Sequence, residues 1–351
     1  MGFRQKTIRA RVPLRLGLAG GGTDLSPYCD QFGGAVLNTT IDRYAYAFIE
    51  PCDDGHLHFV APDLEIEETV APDQHALSQC RLGLHGGVAS RMLTQFGHGP
   101  IPSMRVTSYV DAPPGSGLGS SSALVVALVE AFTALLAAPL GPYDVAHIAF
   151  EIERIDLGLA GGKQDQYAAT FGGTNFIEFH AGDRVIVNPL RVAPAVLNEL
   201  ETSMVVCFTG VSRRSEAIIV EQQRGMTEET GGAQSADVLD SLHQLKNDAL
   251  EMKEALLRGQ IPRMADILNR SWGAKKRTAS GISTGRIEAL YDLAFANGAI
   301  GGKVSGAGGG GFMMFIVPPD RRIGVVRALN AAGGTASGVH LTGQGAESWT
   351  I

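Results

Sequence analysis

"DAPPGSGLGSSSALVVALVE", residues 111–130, sets proline, glycine and serine directly against an apolar run. Glycine and serine are costly to order, so backbone this bare needs a reason. The stretch from Ser120 to Ala138 is apolar nearly all round and predicts a helix buried on most faces. The preceding "PSMRVTSYVDAPPG" (102–115) reads as a strand. A strand, a glycine loop and a helix start together make an anion site. The first helical N–H groups have no intrahelical partner, and the helix dipole adds roughly half a positive charge there. Phosphate oxygens are then the expected partners of the bare backbone, with serine hydroxyls able to donate to phosphate or hold Mg²⁺. The candidate phosphate-binding residues are therefore Pro114, Gly115, Ser116, Gly117, Leu118, Gly119, Ser120, Ser121 and Ser122. The loop is no Walker A sequence, since no GK[ST] follows, and it lacks the spacing of the dinucleotide fingerprint. Taken alone, it reads more plainly as a tight turn with a serine N-cap.

Two further glycine clusters change that weighing. "GLAGGGTD" (17–24) and "KVSGAGGGGF" (303–312) each lie between strand-like segments. Three such loops, far apart in sequence, point to convergence on one ligand with several phosphates. The 45 glycines are well above the usual share of about 7%, and they are clustered.

A chain of 351 residues exceeds what one compact core usually holds, so two domains are expected, here 1–190 and 191–351. Strands are expected over 8–18, over 35–50 as one strand or two, and within 102–115 leading into the glycine loop, with "ASGVHLT" (336–342) as the last. Helices are expected over 120–138, from Pro142 onward, and over 234–257, 262–279 and 284–297. Strands alternating with helix pairs predict an α+β sandwich. A net charge of −7 argues against nucleic acid or an anionic membrane as partner. The longest apolar run is interrupted by Glu130 and Thr133 and is too short to span a bilayer. The first twenty residues lack a sustained apolar core, so no signal peptide is expected. Cys29, Cys52, Cys80 and Cys207 form no CxxC pair and read as reduced thiols of a cytoplasmic protein, Cys207 in the core.

"PPGSGLGSSSA" (113–123) resembles the second motif of the GHMP kinases, and "KVSGAGGGG" (303–311) the third. "RVPLRLGLAGGGTDLSPY" (11–28) fills the place of the first. With "GKQDQYAATFGG" (162–173), these landmarks span nearly the whole chain in the family's order. The resemblance implies a two-lobed α+β fold, with a ribosomal-protein-like N-terminal lobe, a ferredoxin-like C-terminal lobe and the active site in the cleft. Within the family, "LRLGLAGGGTDLSPY" and "GGAVLNTTID" resemble the heptose 7-phosphate kinases. Of the Gly-Glu-His-Thr-Asp core of galactokinases only Thr23 and Asp24 remain. The implied reaction moves the γ-phosphoryl of ATP to the anomeric hydroxyl of a heptose 7-phosphate. That gives a 1,7-bisphosphate on a route to nucleotide-activated heptose for surface polysaccharide. ATP with Mg²⁺ and a small sugar phosphate are the implied ligands, and a homodimer is compatible. A fucose- or galactose-type sugar 1-kinase, a non-catalytic ATP-binding sensor of the same fold and a decarboxylase would share the loops.

Residue roles follow from the same resemblance. Asp165 matches the aspartate beside the acceptor hydroxyl, and otherwise reads as a helix-start carboxylate balancing the dipole. Glu153 matches the glutamate that holds Mg²⁺ with a motif-two serine, matched by Ser121. The segment from Glu153 to Asp165 is one residue longer than in mevalonate kinases, which leaves Glu151 as an alternative. Mg²⁺ needs only one or two protein ligands when phosphates and water supply the rest. Arg15 falls where several members place a cation near the reacting centre, and otherwise reads as an ion-paired strand residue. Gly21, Gly22, Thr23 and Asp24, with Ser305, Gly306, Gly308 and Gly309, are the candidate substrate-binding residues. Asp24 is suited to sugar hydroxyls or to forming a turn. The sugar's distal phosphate needs a cation, and two clusters offer one: Arg213 with Arg214, and Lys275, Lys276 and Arg277. His56 and His58 share a strand face without a third metal ligand in view.

Overall fold

Pro13 cannot donate to a sheet ladder, and the chain answers with an irregularity at that point. Strand β1 (Ile8–Ala19) pairs antiparallel with β2 (Gly34–Pro51), and the register jumps between Pro13 and Leu14 and again between Gly17 and Ala19. Beyond the first jump β1 is buried throughout, which carries Arg15 into the interior at 3% exposure. The loop after β1 holds the first glycine cluster.

The computed structural model describes residues 6–212, 216–226 and 233–351, so Arg213 and Arg214 lie outside the described residues. Among the described residues, twelve strands form two sheets. The first adds β3 (Leu57–Ala61), β4 (Ile66–Val70), β5 (Met104–Val110), β6 (Thr174–Phe179), β7 (Val185–Pro189) and β12 (Glu347–Thr350). Its order is β12-β1-β2-β5-β3-β4, with β6 paired to the first part of β2 and β7 paired to β6. The second sheet contains β8 (Met204–Phe208), β9 (Gly301–Val304), β10 (Phe312–Ile316) and β11 (Thr335–Ser337), in the order β11-β8-β10-β9.

The helix expected after the glycine loop runs Ser120–Leu136 and is buried on most sides. Its core residues, Val125 to Phe132 among them, join a cluster with Leu14, Leu16 and Leu37 of β1 and β2. That cluster also takes Ala249, Met252 and Ala255 from the Ala233–Leu257 helix and Met264 and Leu268 from the Ile261–Lys276 helix. The second sheet has a separate core around Val205, Cys207, Met313, Phe315 and Leu290, which agrees with the buried reading of Cys207.

Three differences from the sequence reading stand out. The stretch expected as the last strand supplies β11 and an isolated bridge from Leu341 to Ile41, and a further strand, β12, returns to β1. The helix that starts at Pro142 ends at Glu151 and passes into a π-helical turn, Ile152–Asp156. A π turn holds one more residue than an α-helical one and places Glu153 inside it. A helix over Gly83–Phe96 also packs against the first core, through Val88, Ala89 and Met92.

Candidate active site

The three glycine loops meet. Gly117 and Ser305 belong to loops nearly two hundred residues apart, yet the Ser305 hydroxyl donates to the Gly117 carbonyl at 2.8 Å. Phe312 N donates to the Ser116 carbonyl at 2.7 Å. Gly117 has φ +76, and a Cβ there would lie 2.4 Å from the Ser305 carbonyl oxygen. Only glycine permits that approach. From β1, Arg15 N donates to the Leu118 carbonyl at 3.0 Å and its guanidinium to the Gly117 carbonyl at 2.7 Å. The first loop faces the same pocket through Gly21, Gly22 and Asp24.

Gly115, Gly117 and Gly119 all take positive φ, and Gly119 stands at the N-cap of the Ser120–Leu136 helix with no side-chain cap. The first-turn amides are thus left without a side-chain partner beside the pocket. Ser120, Ser121 and Ser122 line it, Ser121 exposed and the other two buried. Pro114, Ser116 and Leu118 do not line it. Their carbonyls hold Ser212, Phe312 and Arg15 instead. Thr23, Ser305, Gly308 and Gly309 likewise stand behind the wall. Thr23 ties its hydroxyl to the Gly20 and Ala35 carbonyls, and Gly309 N donates to the Ile282 carbonyl. Gly306 faces the pocket.

Asp165 lies in the first turn of the Gln164–Phe171 helix and pairs with Arg15. Arg15 donates from Nε at 2.8 Å and from NH2 at 2.7 Å, both to Asp165 Oδ1. Oδ2 has no hydrogen-bond partner among the described residues, and the carboxylate keeps 22% of its surface while Arg15 keeps 4%. Asp24 is fully buried. It accepts from Gly22 N and from the amide and side chain of Gln164, each at 3.1 Å. Burial raises its pKa, with Asp165 adding to the rise and the donated amides opposing it. A Cβ at Gly162 would fall 1.9 Å from Asp24 Oδ2, so that glycine lets the two segments close.

Glu153 sits inside the π turn, fully buried behind the pocket wall. Gln166 Nε2 donates to its Oε2 and, at 3.3 Å, to Ser122 Oγ. Among the described residues Oε1 has no hydrogen-bond partner, and Arg154 NH1 lies in ion-pair range at 3.8 Å. Burial raises the Glu153 pKa, and Arg154, Ser122 and Gln166 counter it. Glu151 is tied elsewhere, to Arg91 at 3.0 Å. Ser122 is the serine in this network, while Ser121 faces the pocket. Among the described residues, no group of three or more His, Cys, Asp or Glu side chains could hold a metal ion. His58 pairs instead with Asp54 at 2.7 Å.

Of the basic cluster at 275–277, only Lys275 reaches the pocket. Lys276 pairs with Glu288, and Arg277 contacts Ser241 and the Gly273 carbonyl. Lys303, Arg154 and Gln164 also line the pocket, though sequence reasoning singled out none of them. Burial lowers the Lys275 pKa to about 8 and the Lys303 pKa to about 7, with repulsion from Lys275 and Arg15 contributing at Lys303. Each lysine thus holds a proton more weakly folded than unfolded, so it destabilises the ligand-free protein below the unfolded pKa near 10.5. Lys303→Met should therefore raise the melting temperature at pH 7 by a few degrees. The advantage should shrink as pH rises toward 10, which a melting series against pH would check.

The family description "GHMP kinases N terminal domain" matches residues 84–173, and "GHMP kinases C terminal" matches residues 252–335. The chain is 43% identical over 346 residues to the D-glycero-alpha-D-manno-heptose 7-phosphate kinase of Campylobacter jejuni subsp. jejuni serotype O:2, covering 99% of this chain and 100% of that one. A solved structure described as a D-glycero-D-manno-heptose 1-phosphate kinase from Bacteriodes thetaiotaomicron superposes with a TM-score of 0.81 at 40% identity, covering 98% of this chain and 99% of that one. Galactokinase of Lactococcus lactis, at 18% identity and a TM-score of 0.75 over 97% of this chain and 95% of that one, shares the fold. A relative this similar over its whole length, two family domains in order and the shared two-sheet fold place the chain in the GHMP kinase family.

Proposed function

We propose that this GHMP kinase transfers the γ-phosphoryl of ATP to the anomeric hydroxyl of D-glycero-D-manno-heptose 7-phosphate, giving the 1,7-bisphosphate. The observation that carries the reading is the Arg15–Asp165 pair, set where the three glycine loops meet. Oδ1 is held by Arg15, which leaves Oδ2 to accept the hydrogen of the acceptor hydroxyl. The sugar oxygen then bonds to the γ-phosphorus as the bond to the β–γ bridging oxygen breaks. ADP leaves, and Asp165 takes the proton as that new bond forms. Arg15 fixes the carboxylate in one rotamer through its two bonds to Oδ1. Catalysis of this kind is positioning and charge neutralisation.

The helix-start amides and the Gly115–Gly119 segment are assigned to the nucleotide phosphates. Glu153, whose buried Oε1 lies 3.8 Å from Arg154, and Ser121, exposed on the pocket, offer the oxygen ligands that a hard cation takes, and these two residues would hold Mg²⁺. Bound there, Mg²⁺ would offset charge on the transferring phosphates. Asp24 is assigned to sugar hydroxyls. Residues 1–190 and 191–351 are taken as the two domains, with β12 crossing back to the first sheet. Four unpaired cysteines go with a cytoplasmic location.

The two relatives named above differ over whether the phosphate already present is at position 7 or 1. An acceptor panel with ATP decides between them. ADP release should be fastest with heptose 7-phosphate, and the product should carry a second phosphate at C1 by ³¹P NMR. Better turnover of the 1-phosphate, of fucose or of galactose would overturn the assignment. No ADP release from any acceptor would favour a non-catalytic sensor.

A further inference from the structure

We infer that Lys275 and Lys303 together form the receptor for the phosphate that the sugar carries into the site. The inference rests on the reading of a sugar phosphate as acceptor.

The two lysines come from distant parts of the chain. Lys275 lies in the last turn of the Ile261–Lys276 helix, and Lys303 belongs to β9, just before the third glycine loop. Both open on the pocket. Each ammonium is tethered to a backbone carbonyl of the first glycine segment: Lys275 to Gly21 at 3.2 Å and Lys303 to Leu18 at 3.3 Å. One carbonyl satisfies one of three N–H bonds and neutralises no charge.

Three other cations of the buried or half-buried kind are neutralised by carboxylates, whereas Arg286 and Lys246 rest, like these two, on backbone carbonyls. Arg15 has Asp165, Lys163 has Asp183, and Arg270 has Asp248. Among the described residues, neither Lys275 nor Lys303 has a carboxylate in ion-pair range. Asp24 and Asp248 act on them only at longer distance. Two ammonium groups that repel each other in a desolvated pocket are a standing cost to the fold. A phosphate dianion removes that cost, because it brings two charges and several acceptor oxygens to the same place. Trp272, on the same wall, adds a buried indole N–H with no partner among the described residues.

The position separates this anion site from the nucleotide. The nucleotide phosphates have the Ser120–Leu136 helix start. The lysines are bonded instead to the first loop segment, at Gly21 and Leu18, and Asp24 of that loop lines the same pocket as Asp165. An acceptor with its reacting hydroxyl at Asp165 and its hydroxyls at Asp24 would lay its far end on the two ammonium groups.

The test compares the native chain with Lys275→Gln, Lys303→Gln and the double variant. Two acceptors are used, heptose 7-phosphate and the same heptose without phosphate, each at saturating Mg-ATP. In the double variant the preference for the phosphorylated sugar, as a ratio of kcat/KM values, should fall about 10²-fold or more. The loss should fall chiefly on KM of the phosphorylated sugar, with KM for ATP within about twofold. Lys275→Arg and Lys303→Arg keep the charge and should retain much of the preference, and melting curves verify that each variant is folded. An unchanged ratio in a folded double variant overturns the assignment. So does a rise in KM for ATP without a change in the ratio, which would give the lysines to the nucleotide. If the native chain itself prefers the unphosphorylated sugar, the substrate reading falls and this inference with it. If the native chain prefers the phosphorylated sugar and the double variant keeps that preference, the lysine assignment alone falls.

Discussion

Asp165→Ala should lower turnover by about 10²-fold or more, with KM for ATP changed less than about twofold. The asymmetry follows from where the side chain sits. Its carboxylate touches Arg15 and faces the pocket, but it makes no hydrogen bond to the glycine loop assigned to the nucleotide. Removal has a second effect, since Arg15 is left with 4% exposure and no carboxylate, and an uncompensated buried charge destabilises a fold. Arg15 keeps its bond to the Gly117 carbonyl, which limits the damage. Asp165→Asn separates the two effects. It preserves shape and an acceptor oxygen for Arg15 but cannot take a proton, so it should melt near the native protein and still lose turnover. Single-turnover kinetics with the acceptor panel would read this directly. Turnover within threefold of native in either folded variant removes Asp165 from the proposed role.

Gly117→Ala should loosen the junction of the second and third loops. A left-handed φ costs a non-glycine residue about 1 kcal/mol. The larger effect is steric, because the new methyl would lie 2.4 Å from the backbone oxygen of Ser305, which cannot rotate away. The strands behind both loops would have to shift, for a total of about 3 kcal/mol. KM for ATP should rise about tenfold or more as the loop leaves its place. Gly281→Ala is the control, since Gly281 has φ +73 and open space around its Cβ position. It carries the conformational cost without the collision, so its melting temperature should fall less and its KM for ATP should hold. Equal losses in the two variants would show that the close approach at Gly117 contributes little.

Much of the site could be read along the chain because its signal is local. Glycines clustered between a strand and a helix mark backbone that must approach something closely, and all three clusters do so. Lys275 could be read only as one of three neighbours. Successive residues on a helix turn by about 100°, so which of Lys275, Lys276 and Arg277 faces inward depends on how the helix is seated on the rest of the fold. Ser121 and Ser122 raise the same problem at a helix start. Lys303 carried a faint local signal, a charge inside an otherwise buried four-residue strand, "GGKV". Arg154 and Gln164 carried none, because they matter only once the π turn and the first loop are brought together. The strand β12 was missed because "ESWT" is short and half-exposed, and its pairing partner lies at the other end of the sequence.

That pairing has a bearing on biogenesis. Arg11 and Glu347, joined by a salt bridge, are 336 positions apart. The edge of the strand that bears Arg15 therefore stays bare on the ribosome until Glu347–Thr350 has been made. A nascent kinase of this design cannot finish its first sheet before the second is synthesised, and until β12 docks it offers an open β edge to chaperones and to other nascent copies.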